Sequence, residues 1–196
     1  MLSILKIWAS VCLKTLRLWK RHERSYVRFW LNLTFLYLAT IDIVRGKLIE
    51  QGMTIGKEYS VSFKLYPKKF SPGWHNVLHF TNGASYGTPG ERIPAVWLHM
   101  SKGGKDEKPL YICTYMNNNA DYCFTTSPII LFKWTPIEIK QFSSSGGYKY
   151  QILINGKVEH EVVNENPRIF KNVNLYVGKG KAQSGEIKDL KYAGGL

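Results

Sequence analysis

The sequence predicts an all-β fold, two antiparallel sheets packed as a jelly-roll sandwich, over residues 46–196 of a 196-residue chain. Three observations point to it. From Glu58 onward, short runs of β-branched and aromatic residues recur between clusters of Gly, Pro, Asn and Ser. Residues 59–65 alternate strictly, with Tyr59, Val61, Phe63 and Leu65 on one face and Ser60, Ser62 and Lys64 on the other, the pattern of a half-buried strand. Asn155-Gly156, the preferred dipeptide of a two-residue type I′ turn, joins two further runs of this kind.

The elements follow in chain order. Residues 1–45 read as a separate, helical head with eight basic and two acidic side chains, against nineteen and twelve over the longer remainder. Lys14, Arg17, Lys20, Arg21, Arg24 and Arg28 precede the uncharged run from Phe29 to Ile41. Basic then apolar is the order of a secretion signal. An apolar helix of that length spans roughly 20 Å, short of the roughly 30 Å hydrocarbon core, so a cleaved signal or a tilted signal anchor fits better than an ordinary membrane span. An anchor would keep its positive side in the cytoplasm and turn the sandwich outward, with membrane association through residues 14–44. Met1 to Leu13 serving as the signal itself, an amphipathic interfacial helix, and a misassigned start of the gene are alternatives. The sequon Asn32-Leu33-Thr34 lies within the apolar run, where it would not be glycosylated.

After the strand at 59–65, strands are expected at 76–81, 95–100, 110–115, 122–126, 135–142, 148–154, 157–163, 173–178 and 186–192. About ten strands with no convincing helix make two packed sheets the economical arrangement. One detail conflicts: a strict hairpin about Asn155-Gly156 puts Ile152 and Ile154 on the same face as Glu159 and Glu161. Either the loop is longer or that face is partly solvated.

Hydrophobic residues make up 44% of the chain and aromatic residues 14%, which supplies a core and excludes a wholly disordered protein. The net charge of +13 invites a nucleic-acid reading. Its density lies in the head, which has another explanation, so no nucleic-acid partner is expected. Cys12, Cys113 and Cys123 match no zinc-ligand spacing. Cys113 and Cys123 lie symmetrically about Asn118, so a hairpin turning there would set them opposite each other as a cross-strand disulfide. Two buried free thiols suit the same positions.

Four segments resemble a known family: Glu58 to Leu65, Lys133 to Gln141 with its W-x-x-I-x-I pattern, Tyr150 to Gly156 as Y-x-I-x-I-N-G, and Ser184 to Tyr192 with G-x-I-x-x-L. They are similar to the concanavalin A-like, laminin G-like sandwiches. The resemblance spans residues 57–192 and implies an extracellular recognition module for glycans or protein partners, sometimes holding one calcium ion. The galactoside-binding runs H-x-N-x-R and W-x-x-E-x-R of the galectins are absent. The E-x-D-x-E strand of the resembling glucanases is also absent: Glu138 has no acidic neighbour, and Glu159-His160-Glu161 lacks the third carboxylate. No catalytic role is therefore expected, and glycan cleavage ranks third among the readings.

Binding residues are expected in two loops. Thr81 to Pro94 is long, polar and rich in glycine, and its Asn82, Tyr86 and Arg92 offer a stacking ring with hydrogen-bond donors. A plain solvated connection, with Glu91 and Arg92 as a local pair, accounts for it equally well. The oxygens of Asn117, Asn118, Asn119 and Asp121 could coordinate calcium, although these are also ordinary turn residues. His75 and His79 stand about 13 Å apart on an extended strand, too far to share a metal without a turn. Trp74, Trp97 and Trp134 are expected to fill the core. The leading expectation is a secreted or cell-surface module, anchored by its head, that binds a glycan or an extracellular protein through loops at the sandwich edge. The alternative is a membrane-tethered structural domain whose basic body rests against sulfated polyanions.

Overall fold

The computed structural model describes residues 34–37, 39–98 and 103–194. Among the described residues, thirteen strands form two antiparallel sheets. The first runs in the order β1 (Thr34–Tyr37), β13 (Ser184–Gly194), β4 (Tyr59–Lys69), β9 (Thr135–Ser144), β10 (Gly147–Ile154) and β11 (Lys157–Asn164), with the two-residue β2 (Ile41–Asp42) also paired to β13. The second runs β3 (Lys47–Ile55), β12 (Phe170–Val177), β5 (His75–Thr81), β6 (Ala95–Leu98), β7 (Glu107–Met116) and β8 (Asn119–Ile130). Non-sequential neighbours in both sheets give the expected jelly-roll connectivity.

Every expected body strand is present. In β4 the alternation reads out directly, since Val61, Phe63 and Leu65 are buried while Ser60, Ser62 and Lys64 are partly exposed. These side chains meet Val77, Leu78, Phe80, Val96, Leu98, Leu110, Ile112 and Leu175 in one apolar core between the sheets.

Three strands were not expected. β3 escapes a period-two reading because Gly52 interrupts it at φ 70° and its pairing with β12 shifts register three times, as bulged edge strands do. β1 and β2 take residues assigned to the apolar head: Thr34–Tyr37 pairs with Leu190 to Ala193, and Ile41 pairs with Ile187 in the core. The described part of that run is thus strand rather than helix, and the sheet begins well before residue 46. A short, uncharged and mostly apolar run can satisfy either geometry, and the β13 edge decides it. Residues 1–33, with the basic cluster and Cys12, lie outside the described residues. No described helix is long and apolar enough to cross a membrane.

The conflict at the β10–β11 hairpin resolves through a bulge. Asn155 and Gly156 form the two-residue turn, both with positive φ. Ile154 faces Lys157 and Leu153 faces Val158, but Ile152 then faces His160 because the register slips by one residue. The slip carries His160 and Val162 to the inner face and sends Glu161 outward, where Lys149 Nζ lies 2.8 Å from it, while the half-buried Glu159 reaches the other sheet and its Oε2 accepts from Ser127 N at 2.7 Å. His160 stacks on Phe124 of β8, with centroids 4.4 Å apart, and closes that edge of the sandwich.

Two glycines test these packing constraints. Ala in place of Gly156 meets no atom within 4 Å, so only its φ of +77° is strained, and the expected loss is about 1–2 kcal/mol. At Gly185 a methyl group would run into the Tyr66 carbonyl and Pro67 of the neighbouring strand, so Gly185→Ala should cost more than Gly156→Ala. Urea-unfolding midpoints of the two variants check the order.

Candidate functional site

Because Val96, Leu98, Leu110 and Ile112 point into the core, their neighbours Trp97 and Tyr111 must point away from it, and these two face each other across β6 and β7. Tyr111 in turn meets Trp74, just before β5, with centroids 4.9 Å apart. Trp74 is 48% exposed. These tryptophans are therefore not core residues. The third, Trp134, stacks with Tyr66 at 5.1 Å on the other sheet, and the Lys188 ammonium sits 4.1 Å from its ring centroid.

The loop between β5 and β6 folds back over this outer face. Its ends are fastened to β5: Phe80 N donates to Pro94 O and Ile93 N to Phe80 O, while the Ile93–Pro94 peptide bond is cis. Inside the loop Asn82 N donates to Gly90 O, and the Asn82 amide packs where a side chain at residue 90 would stand. Asn82 thus shapes the loop, and its Oδ1 accepts from Ala84 N at 3.2 Å. The loop delivers Tyr86, Glu91 and Arg92 to the sheet. With Trp74, Trp97, Tyr111 and Asp121 of β8, Tyr86 and Arg92 line a cavity of about 360 Å³. A larger depression of about 430 Å³ along residues 124–127 and 157–159 is more open and has a single aromatic wall.

Arg92 is the centre of the cavity wall. Its guanidinium carbon lies 4.9 Å from the Tyr86 ring centroid and 4.8 Å from that of Trp97, so two π-faces flank it. Nη1 donates to Asp121 Oδ1, and Nε lies 2.6 Å from Glu91 Oε2 as an ion pair not aligned for a hydrogen bond. Tyr86 OH completes the set by donating to Asp121 Oδ2 at 3.2 Å.

Beneath it lies the disulfide. Cys113 and Cys123 face each other in the β7–β8 ladder with Cα atoms 4.1 Å apart, and their sulfurs are bonded. The cross-strand bridge is therefore formed. Cys123 Sγ approaches Asp121 Oδ1 to 3.1 Å, a contact rather than a hydrogen bond since a disulfide sulfur carries no proton. The two sulfurs and Asp121 form a compact trio, but bridged sulfurs are not thiolate ligands for a metal.

His79 holds the loop from below. Its Nε2 donates to the Glu91 carbonyl at 2.6 Å, and its ring packs edge-on against Trp97. Burial pushes its pKa down to about 4, with the Lys179 and Arg92 charges acting in the same direction against the Glu91 carbonyl. The ring is neutral at physiological pH, so its 3.5 Å approach to Glu91 Oε1 is not an ion pair there. His75 is also buried, at the other end of β5, and the two histidines share no ligand position.

Of the residues singled out in the sequence, Tyr86, Arg92 and Asp121 come together. Asn117 instead ties the two sheets, with Nδ2 donating to Val163 O and Oδ1 accepting from Glu165 N. Asn118 Oδ1 accepts from Tyr115 OH at 2.8 Å, and Asn119 Oδ1 accepts from Asp121 N at 2.9 Å as a local turn. The β7–β8 asparagines thus have structural partners. The sequence reading places Trp74 and Trp97 in the core and does not single out Tyr111, although the odd-numbered parity of Trp97 against Val96 and Leu98 carried the signal.

With this geometry established, known structures can be set beside it. The chain has the concanavalin A-like sandwich fold. The Emp47p carbohydrate recognition domain superposes with a TM-score of 0.52 at 8% identity, covering 76% of this chain and 77% of that one. A native heptameric SAP-like pentraxin from Limulus polyphemus gives 0.51 at 13% identity, covering 76% and 69%. An alginate lyase from Pseudomonas aeruginosa gives 0.50 at 11% identity, covering 72% and 68%. No protein-family model and no curated protein sequence matches the chain. At these identities the likeness concerns the sandwich, a scaffold shared by carbohydrate recognition and by polysaccharide cleavage.

Two outcomes are expected. The bridge closes a loop of sequence separation 10, so replacing both Cys113 and Cys123 with Ala should cost at most about 3 kcal/mol, less where strand pairing already holds the hairpin. Denaturant unfolding of the double variant checks it. His79, with its folded pKa depressed to about 4 from 6.5, contributes stability that is complete above pH 6.5 and is lost as pH falls toward 4, by up to about 3 kcal/mol. His79→Gln should flatten that part of the stability–pH curve, measured by urea midpoints between pH 4 and pH 8.

Proposed function

We propose that the protein is a non-catalytic extracellular recognition module that binds a saccharide in the cavity between Trp74, Tyr86, Trp97 and Tyr111. The observation that carries this reading is the convergence of four aromatic rings on one fixed Arg92–Asp121 pair. Sugar rings combine apolar C–H faces with hydroxyl edges. Aromatic walls take the former, and a charged pair held in place takes the latter. That the Emp47p carbohydrate recognition domain shares the fold supports the assignment.

A hydrolytic role is disfavoured by the placement of the carboxylates. Glycoside cleavage needs two carboxyl groups free to act on either side of the scissile bond. Here Glu91 and Asp121 both engage Arg92. The formed disulfide supports a secreted or cell-surface location, since such bridges persist in oxidising compartments. The basic head would then act as signal or anchor. Contact with sulfated polyanions is a second reading, favoured by the net charge of +13. It predicts elution from heparin at modest salt without preference among polyanions.

A glycan array probed with the purified chain tests the principal reading. Binding to a defined subset of saccharides is expected, and Trp74→Ala or Trp97→Ala should weaken it at least about tenfold while thermal unfolding stays close to the parent for the exposed Trp74. An array with no ligand, or binding unchanged by both substitutions, would overturn it.

A further inference from the structure

The charge inside the cavity carries the reading one step further, to the class of saccharide. Arg92 is the cation of the cavity lining, and its charge is already matched. Asp121 takes Nη1, Glu91 lies beside Nε, and Tyr86 and Trp97 occupy the two faces of the guanidinium. The side chains of Arg92 and Glu91 are only 12% and 13% exposed, so water screens that pair weakly, while Asp121, at 38%, is the partner a ligand can reach. One positive against two negative groups leaves the polar centre with a net charge of −1. His79 beneath it adds no positive charge at neutral pH.

A ligand carboxylate or sulfate entering the cavity would have to displace Asp121 from Arg92 or lie beside it, with Glu91 close behind. A sugar hydroxyl faces no such conflict, because it can donate to a lone pair of Asp121 or accept from a guanidinium N–H. The rings of Trp74 and Tyr111, which also line the cavity, suit an uncharged C–H face. Cations do stand near: Lys179 acts on His79 and Lys181 on His75. Both belong to the segment between β12 and β13, and neither lines the cavity.

We propose that this cavity selects uncharged saccharides and discriminates against their carboxylated, sialylated or sulfated counterparts, because its arginine is already neutralised by Glu91 and Asp121. The overall charge of +13 would predict the opposite preference. Local pairing overrides it at the range of a direct contact, since Coulomb energy falls with distance and salt screens the remote lysines.

This inference rests on the saccharide-binding reading, and the experiment separates the two. Matched pairs of oligosaccharides, each neutral ligand beside the same structure bearing a uronate, sialic acid or sulfate, are titrated against the full chain by calorimetry at 0.15 M salt. The neutral member should bind at least about tenfold more tightly than its charged partner. In Asp121→Asn, which keeps the shape and removes one carboxylate, the gap should narrow by several-fold, with folding checked by the intact disulfide and an unchanged unfolding midpoint. Equal or tighter binding of the charged members, through Trp74 and Trp97, would overturn the selectivity and leave saccharide binding standing. A gap that Asp121→Asn does not change would overturn the assigned cause. Binding of neither member would overturn both readings.

Discussion

Two sheets that bury one face against each other leave no freedom in what their other faces present. Each strand sends alternate residues to opposite sides, so once Val96, Leu98, Leu110 and Ile112 enter the core, Trp97 and Tyr111 are committed to the outside. A slip of one residue in β6 would bury Trp97 and expose two valine- or leucine-sized side chains. The core therefore enforces the aromatic wall of the cavity, although no wall residue contributes to the core. The same constraint explains the β10–β11 bulge, which costs one ladder position and keeps Ile152 and Ile154 inside while Glu161 faces water.

On that platform the loop between β5 and β6 builds a rigid polar centre. A guanidinium this far from solvent loses much of its hydration, and a single surface partner would not offset that loss. Two carboxylates and two aromatic faces together do so. Each partner is itself held: Asp121 through the strand carrying Cys123, Glu91 through its carbonyl on His79, and Tyr86 through Asp121. A ligand bound there would meet groups already in position and order little on binding, which is how a small cavity gains affinity.

Much of the scaffold was legible from local pattern. Strict alternation in Tyr59 to Leu65 and the Asn155-Gly156 turn act over a few residues, and neither depends on distant partners. The symmetric placement of Cys113 and Cys123 about Asn118 was likewise a local argument, although choosing a bond over two thiols took the pairing itself. The illegible parts are those in which a distant partner decides. Lys47–Ile55 has an interrupted pattern and becomes a strand because β12 offers an edge, and Thr34–Tyr37 does so because β13 offers another. Tyr86, Arg92 and Asp121 were visible as chemistry, but Asn82 and Asn117, of the same residue character, went to structural duties.

The sequence by itself determined the two-sheet class, the positions of the strong strands and the hairpin chemistry, because these follow from side-chain alternation and turn preference at short range. Only the tertiary structure decided that Trp74, Trp97 and Tyr111 share a wall, and that Arg92 meets its carboxylates there. Those contacts join residues from five separate segments. Their meeting depends on sheet order and on which face each strand turns outward, and both are settled when the two sheets bury their common core.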